Sequence, residues 1–309
     1  MREPLIIDNV DVLATYRVRV TQRGYNTLVQ YPTFKAVNVI DWPEEDGVEP
    51  DLINPVLAAK DGVTISFTCL DAPAHFDSFI AFLTATSYRE YFFKEIGVTA
   101  RLRLVSYTPV KQGIRLQNFN LTFAFDDSFL EGYEPYEGID WPLTCNGETF
   151  YFNGEMMVFF VYEPGLEPHR HMRHPATGLL LDGEDLSQFG VRLLSGYKAE
   201  IEKPAPVKSN VIIESAYETG RRYPDTTVVR GAKDVTLPLL MTADMPTDFW
   251  SQYLRLLSVL SDPGYHTLSM NGVSHKFYYK NQQVKEFEKV AGNAMWCKFN
   301  LTLCFYEGD

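Results

Sequence analysis

The chain has 309 residues, enough for two domains of roughly 130 residues each. Its net charge of -12 excludes a grip on nucleic acid through phosphate neutralisation, and leaves either plain solubility or a surface that DNA slides past. Aromatic residues make up 14% of the chain, which favours pleated sheet, and no run approaches the roughly 18 apolar residues needed to cross a bilayer. The opening Met1-Arg2-Glu3-Pro4 has no apolar segment behind it of the kind a secretory signal needs.

An extended segment is predicted from Tyr16 to Val20, and a second strand over roughly Leu28 to Ile40. An acidic stretch follows, with Asp41, Glu44, Glu45, Asp46, Glu49 and Asp51 among Pro43, Gly47, Pro50 and Pro55. Proline and glycine at that density exclude regular structure. Strict alternation from Val63 to Cys69 predicts a strand. Phe76, Phe79, Ile80 and Leu83 then recur at the helical period, so a helix is expected over about 74–85. Tyr88 to Lys94 mixes basic and aromatic residues and reads as a second amphipathic helix or a packed turn. More extended chain covers Ala100 to Tyr107, and a closing strand runs from Ile114 to Phe125.

Residues 129–178 form a segment of their own, with a hairpin expected to turn at Asn153-Gly154. From Leu179 the pattern restarts. A strand over Val235 to Met241 leads into a helix capped by Thr247 or Asp248. That helix runs to about Leu260 and is stopped by Asp262-Pro263-Gly264. Two strands, His266 to Met270 and His275 to Tyr279, flank Asn271-Gly272, and a last strand closes the chain.

The restart is a duplication. Phe119-Asn120-Leu121-Thr122 returns as Phe299-Asn300-Leu301-Thr302 at an offset of 180. Val63-Thr64-Ile65 returns as Val235-Thr236-Leu237 at 172, and the helix pattern returns at 174. Tyr16-Arg17-Val18 matches Phe189-Gly190-Val191 at 173. The expected organisation is therefore copy one over 1–128, an inserted segment over 129–178 and copy two over 179–309. The fold class is α+β and β-rich: in each copy a small β-sandwich or open barrel with one flanking helix. On the closing strands Phe and Leu face inward, so Asn120, Thr122, Asn300 and Thr302 lie on the outer face, where a neighbouring element is expected.

Little points to chemistry. His169, His171 and His174 are weak metal candidates, because they share an irregular stretch between Pro168 and Pro175 with Arg170 and Arg173, which repel a cation. A solvated loop, or a basic patch meeting an acidic neighbour, is the plainer reading. Carboxylates in the 41–51 stretch lack the burial that separates acid from base. That stretch is either a solvated loop or a long loop reaching an adjacent subunit. No nucleophile elbow, P-loop, zincin or dinucleotide motif occurs. No catalytic residue and no cofactor is nominated. Of the four cysteines, Cys69 faces inward, and Cys297 and Cys304 point to opposite faces of one strand, so free thiols are expected.

Several motifs together resemble tail proteins of phages and phage-like elements, of the tail-tube, distal-tail and baseplate-hub type. They are Leu181-Asp182-Gly183-Glu184-Asp185-Leu186-Ser187-Gln188-Phe189-Gly190-Val191 with Gly196, Ala205-Pro206-Val207-Lys208-Ser209-Asn210, and Lys233-Asp234-Val235-Thr236-Leu237 before a helix. Copy one adds Asn38-Val39-Ile40-Asp41-Trp42-Pro43-Glu44-Glu45-Asp46-Gly47, which is similar to the start of that family's long acidic loop. The resemblance spans both copies but not residues 129–178. It implies a non-enzymatic structural protein of the virion tail, made in the bacterial cytoplasm. Neighbouring subunits of such proteins join their sheets into a ring, as a trimer or a hexamer. DNA passes through the lumen without tight binding, and other tail proteins are partners. The implied assembly interface takes in Asp41, Trp42, Glu44, Glu45 and Asp46, with Asn120, Thr122, Asn300 and Thr302 on the strands.

Two other classes compete. A carbohydrate- or receptor-binding β-sandwich would group Trp42, Trp141, Tyr133 and Tyr136 in a shallow groove. A hydrolase would need two carboxylates facing across a cleft, and no sequence feature supports that.

Overall fold

The structure, a computed structural model, describes residues 4–21, 24–110, 113, 115–127, 129–130, 174–208, 213–214, 216–217, 219–222, 228–290 and 293–308, with the backbone alone for 143–145, 148–153, 156–158, 213 and 221–222. In chain order the first half contains β1 (Leu5–Ile7), β2 (Val10–Asp11), α1 (Val12–Tyr16), β3 (Val18–Val20), α2 (Asn26–Val29), β4 (Val39–Ile40), β5 (Glu49–Pro50) and β6 (Lys60–Leu70). It continues with α3 (Ala74–Thr84), β7 (Arg89–Phe93), β8 (Val98–Tyr107) and β9 (Leu116–Phe125). Between the halves lie β10 (Leu143–Cys145), β11 (Glu148–Asn153) and β12 (Met156–Val158). The second half has β13 (Leu179–Leu181), β14 (Glu184–Asp185), a 3-10 turn (Leu186–Phe189), β15 (Val191–Leu193), α4 (Tyr197–Glu202), β16 (Ile213–Glu214) and β17 (Arg221–Arg222). It ends with β18 (Lys233–Ala243), α5 (Pro246–Ser261), β19 (His266–Met270), β20 (Val273–Lys289) and β21 (Met295–Phe305).

Two curled antiparallel sheets dominate. The first has the order β2-β1-β7-β8-β9-β6-β3 and the second β14-β13-β19-β20-β21-β18-β15. The second order repeats the first strand for strand, so the fold is one β-rich unit used twice. Period-two alternation places Val63, Ile65, Phe67 and Cys69 of β6 inward, with Val235, Leu237, Leu239 and Met241 of β18 as their counterparts. The helix of each half lies on that apolar face. Phe76, Phe79, Ile80 and Leu83 of α3 are buried, as are Phe249, Tyr253, Leu256, Leu257 and Leu260 of α5. Burying each such side chain contributes about 1.5–3 kcal/mol. One continuous hydrophobic core runs through both halves.

The pairs at the sheet edges are duplicated too. Asp8 and Asp182 both have left-handed backbones, at φ 47° and 48°. Each accepts from a main-chain N–H across the sheet, of Glu90 at 2.9 Å and of Thr267 at 2.6 Å. Each also pairs with a buried basic residue, Arg89 in the first half and His266 (2.7 Å) in the second. Lys60 donates to the Leu28 carbonyl (2.7 Å), and Lys233 donates to that of Ile201 (3.0 Å). Both lysines tie a short helix to its sheet.

Several expected elements are corrected. The chain from Leu28 to Ile40 is not a continuous strand: it begins as α2 and keeps only a single bridge at Phe34 and a two-residue pairing at Val39–Ile40. Leu28, Val29 and Tyr31 are all buried, which alternation across a sheet forbids for adjacent positions, and Pro32 removes a ladder donor. Tyr16 ends α1 rather than opening the extended segment, which is β3 alone; α1 is capped by Asp11, which accepts from the Ala14 N–H. Arg89–Phe93 is a strand, neither helix nor turn. Its inward positions are Arg89, Tyr91 and Phe93, and an inward arginine hides the alternation. The N-cap of α5 is Met245, with Pro246 at the first helical position, where its missing N–H costs nothing. Thr247 and Asp248 lie inside the helix. The strand after Asn271-Gly272 extends to Lys289. In the inserted segment β11 pairs with β12, Asn153 opposite Met156, around the expected turn, and β10 adds a third strand. Gly154 itself is outside the described residues.

Candidate functional site

The connection between β3 and β6 positions the residues that link the two halves. Instead of returning directly along its own sheet, this stretch crosses to the second half. The side chain of Asn26 donates to the Lys285 carbonyl (3.0 Å). The main-chain N–H of Tyr31 donates to the Gln282 side-chain oxygen at 2.8 Å, and its hydroxyl donates to the Tyr253 carbonyl. The Tyr253 hydroxyl in turn shares its proton between the Val29 carbonyl (2.7 Å) and Gln282 (2.9 Å). Tyr279 donates to the Pro32 carbonyl (2.9 Å), and Trp250 to that of Ile96 (2.7 Å). The rings of Tyr31 and Tyr253 lie 4.4 Å apart. Tyr31, Tyr253, Tyr279 and Gln282 are all fully buried. Burial holds the phenols of Tyr253 and Tyr279 far above their ordinary pKa, so they remain neutral donors.

The acidic stretch continues the same contact. Lys208 is buried and its ammonium meets Asp41 at 2.6 Å, with the carbonyls of Trp42 and Glu45 each at 2.8 Å. Asp46 accepts from the Arg230 N–H (2.6 Å), and the Gly47 N–H returns to the Arg230 carbonyl (2.7 Å). Val48 N–H reaches the Tyr306 carbonyl at 2.8 Å. Gly47 has φ 75°, and a Cβ there would lie 1.9 Å from the Tyr306 carbonyl oxygen, so the approach requires glycine. Leu52 packs with Tyr278 and Cys304 in a small second core. Trp42 donates to Glu49 (3.1 Å), and Glu44 is exposed. The acidic loop thus reaches another copy of the fold, and that copy is the second half of its own chain.

The outer-face strand residues have partners within their sheets. Asn120 accepts from the Ser66 hydroxyl (2.8 Å). The Thr64 and Thr122 hydroxyls lie 3.4 Å apart, and those of Thr236 and Thr302 lie 3.2 Å apart. Asn300 stands opposite Pro238. Cross-strand pairs of this kind stabilise a sheet directly. The repeated Thr122 and Thr302 therefore answer the repeated Thr64 and Thr236, both already visible in the duplicated sequence.

Of the metal candidates, His169 and His171 lie outside the described residues. His174 bonds through Nε2 to the Thr242 carbonyl (3.1 Å) and accepts from Arg192 at Nδ1 (3.0 Å). Burial lowers its pKa, and the Arg192 charge lowers it further against the Thr242 bond. Among the described residues no group of three His, Cys, Asp or Glu is placed to hold a metal. Trp141, Tyr133 and Tyr136 also lie outside the described residues. Cys69, Cys297 and Cys304 are free and buried, and burial raises each thiol's pKa. Cys297 faces the main core and Cys304 the small one, on opposite faces of β21. No helix among the described residues is long and apolar enough to cross a membrane.

Sequence reading missed the joint built on Tyr31, Tyr253, Tyr279 and Gln282. One signal was available: Tyr253 stands at the repeat position of Phe79, so the second copy alone carries a hydroxyl there. A buried hydroxyl needs a partner, and the partner is the first copy. No protein-family model, no curated protein and no solved structure matches the chain.

Proposed function

We propose that this chain is a non-enzymatic structural component of a phage tail or phage-like injection apparatus. Copies of it assemble into a ring around a lumen through which DNA passes without tight binding. The observation that carries this reading is the joint itself. One unit of the fold binds the next by extending its β3–β6 connection across the neighbour, so the fold carries both halves of a head-to-tail contact. Contacts of that type close into rings or continue as fibres. Three chains would supply six units, and six chains would supply twelve. The net charge of -12 agrees with a lumen that repels the DNA backbone.

The test is sedimentation of the purified protein over a wide concentration range. A trimer supports a hub role and a hexamer a ring component. A monomer at every concentration would refute the assembly reading.

A further inference from the structure

The internal joint occupies one feature of the second sheet. β19 pairs with β20 only over Val273 to Phe277. Beyond that point β20 pairs with β21 alone among the described residues, and α2 with the residues after it packs along the open side, Asn26 at Lys285, Tyr31 at Gln282 and Pro32 at Tyr279.

The first sheet has the same open side. Among the described residues β7 pairs with β8 only as far as Leu102, and beyond it β8 pairs with β9 alone. Register makes the equivalence explicit. Leu104 faces Phe123 as Tyr279 faces Leu303, and Tyr107 faces Leu121 as Gln282 faces Leu301. Even the irregularity recurs, between Leu104 and Ser106 and between Tyr279 and Asn281. Occupancy differs, however. Gln282 is buried, whereas its counterpart Tyr107 is 46% exposed, and Leu104 is less buried than its counterpart Tyr279. An exposed apolar strand edge is a template for pairing that folds normally cover.

The element that would cover it is also present. Lys60 bonds the Leu28 carbonyl as Lys233 bonds that of Ile201, so α4 is the second-half counterpart of α2. By that alignment Pro204 stands where Tyr31 stands. Tyr31 is buried in the joint, while Ala199, Glu202 and Pro204 are exposed.

We infer that α4 of one chain covers the β8 edge of the next, repeating between chains the joint that α2 makes with β20 within a chain. This inference rests on the assembly reading and names its surfaces. The two chains contribute different surfaces, so the contact propagates head to tail. The outward side of α4 is more polar than that of α2, so the contact between chains is weaker than the internal joint and depends on concentration.

The experiment uses full-length chains carrying Tyr107→Cys or Pro204→Cys, each with Cys145→Ser, treated with a short bis-maleimide. Both altered positions are exposed, so folding should persist, and circular dichroism checks it. The mixture of the two variants is expected to give a covalent dimer, and each variant alone none. A dimer from either variant alone would indicate a two-fold contact and overturn the proposal. So would a mixture that fails to cross-link. In that case sedimentation of the unaltered protein separates the claims: an oligomer sinks only the named surfaces, and a monomer sinks the assembly reading as well. Tyr107→Asp places a charge in the same contact, and about tenfold weaker association is expected. Unchanged association would contradict the proposal independently.

Discussion

Replacing Tyr253 with Phe tests the internal joint with the loss of a single oxygen. The ring stays, so packing against Phe249 and Phe299 is retained. What disappears is the proton shared by the Val29 carbonyl and Gln282. Gln282 keeps the Tyr31 N–H at 2.8 Å, so the main cost falls on the Val29 carbonyl, a buried acceptor left without this donor. Such an orphan costs about 1–3 kcal/mol. Part is recovered because the hydroxyl no longer has to be desolvated, which leaves a net loss of about 1–2 kcal/mol. For a chain of this size that lowers Tm by roughly 2–6 °C. Guanidinium unfolding followed by tryptophan fluorescence, with Trp250 beside the joint, measures it. The first half supplies a control, because Phe79 occupies the equivalent position there. Phe79→Tyr buries a hydroxyl where no second unit of the same chain lies and is expected to destabilise as well. If Tyr253→Phe were neutral within about 0.5 kcal/mol, the hydroxyl network would not hold the joint.

The duplication supplies a paired test of backbone strain. Gly190 (φ 70°) and Arg17 (φ 55°) are repeat positions in the left-handed region. Gly190→Ala should cost about 1–2 kcal/mol, since its Cβ would also fall 2.0 Å from the Gln252 side-chain oxygen. Arg17→Gly should stabilise, by less than about 1 kcal/mol after the greater chain entropy of the unfolded state is counted; urea midpoints of both variants check the signs. Burial lowers the pKa of Lys60 to about 7, so between pH 7 and its unfolded value of 10.5 the unfolded chain binds more protons. Stability should therefore rise with pH across pH 7 to 9, and Lys60→Met should flatten that slope. For Asp185, burial alone would raise the pKa, but bonds from the N–H groups of Thr177, Ser187 and Gly178 and from the Ser187 side chain outweigh it and hold the carboxyl well below its ordinary 3.8. Its contribution is complete above about pH 4 and is lost as pH falls below that. Asp185→Asn should accordingly destabilise at pH 6 and less so at pH 2.5, read by urea titration at both.

Local periodicity determined much of this fold. Alternation placed β6, β9, β18 and β21, and the helical spacing of Phe76, Phe79, Ile80 and Leu83 placed α3, because a side chain's face follows from backbone geometry alone. The repeated Phe-Asn-Leu-Thr strand and its companions gave away the duplication, and Asn271-Gly272 marked the hairpin. The duplication also extends to Leu5 to Val12, which repeats as Leu179 to Leu186, including the aspartates at 8, 11, 182 and 185. The tertiary structure decided the remainder. Arg89 turns inward because Asp8, across the sheet, and the Phe82 carbonyl receive it. Leu28, Val29 and Tyr31 are buried together because a second unit lies against them. The acidic run from Asp41 to Asp46 is placed by the buried ammonium of Lys208, more than 160 residues away in sequence. Such contacts join surfaces that no local spacing relates, since their energy comes from burial and charge pairing between distant segments. The sequence by itself therefore determined that one fold is present twice, while only the packed molecule decided how the first copy grips the second and which edge of the first copy is left exposed among the described residues.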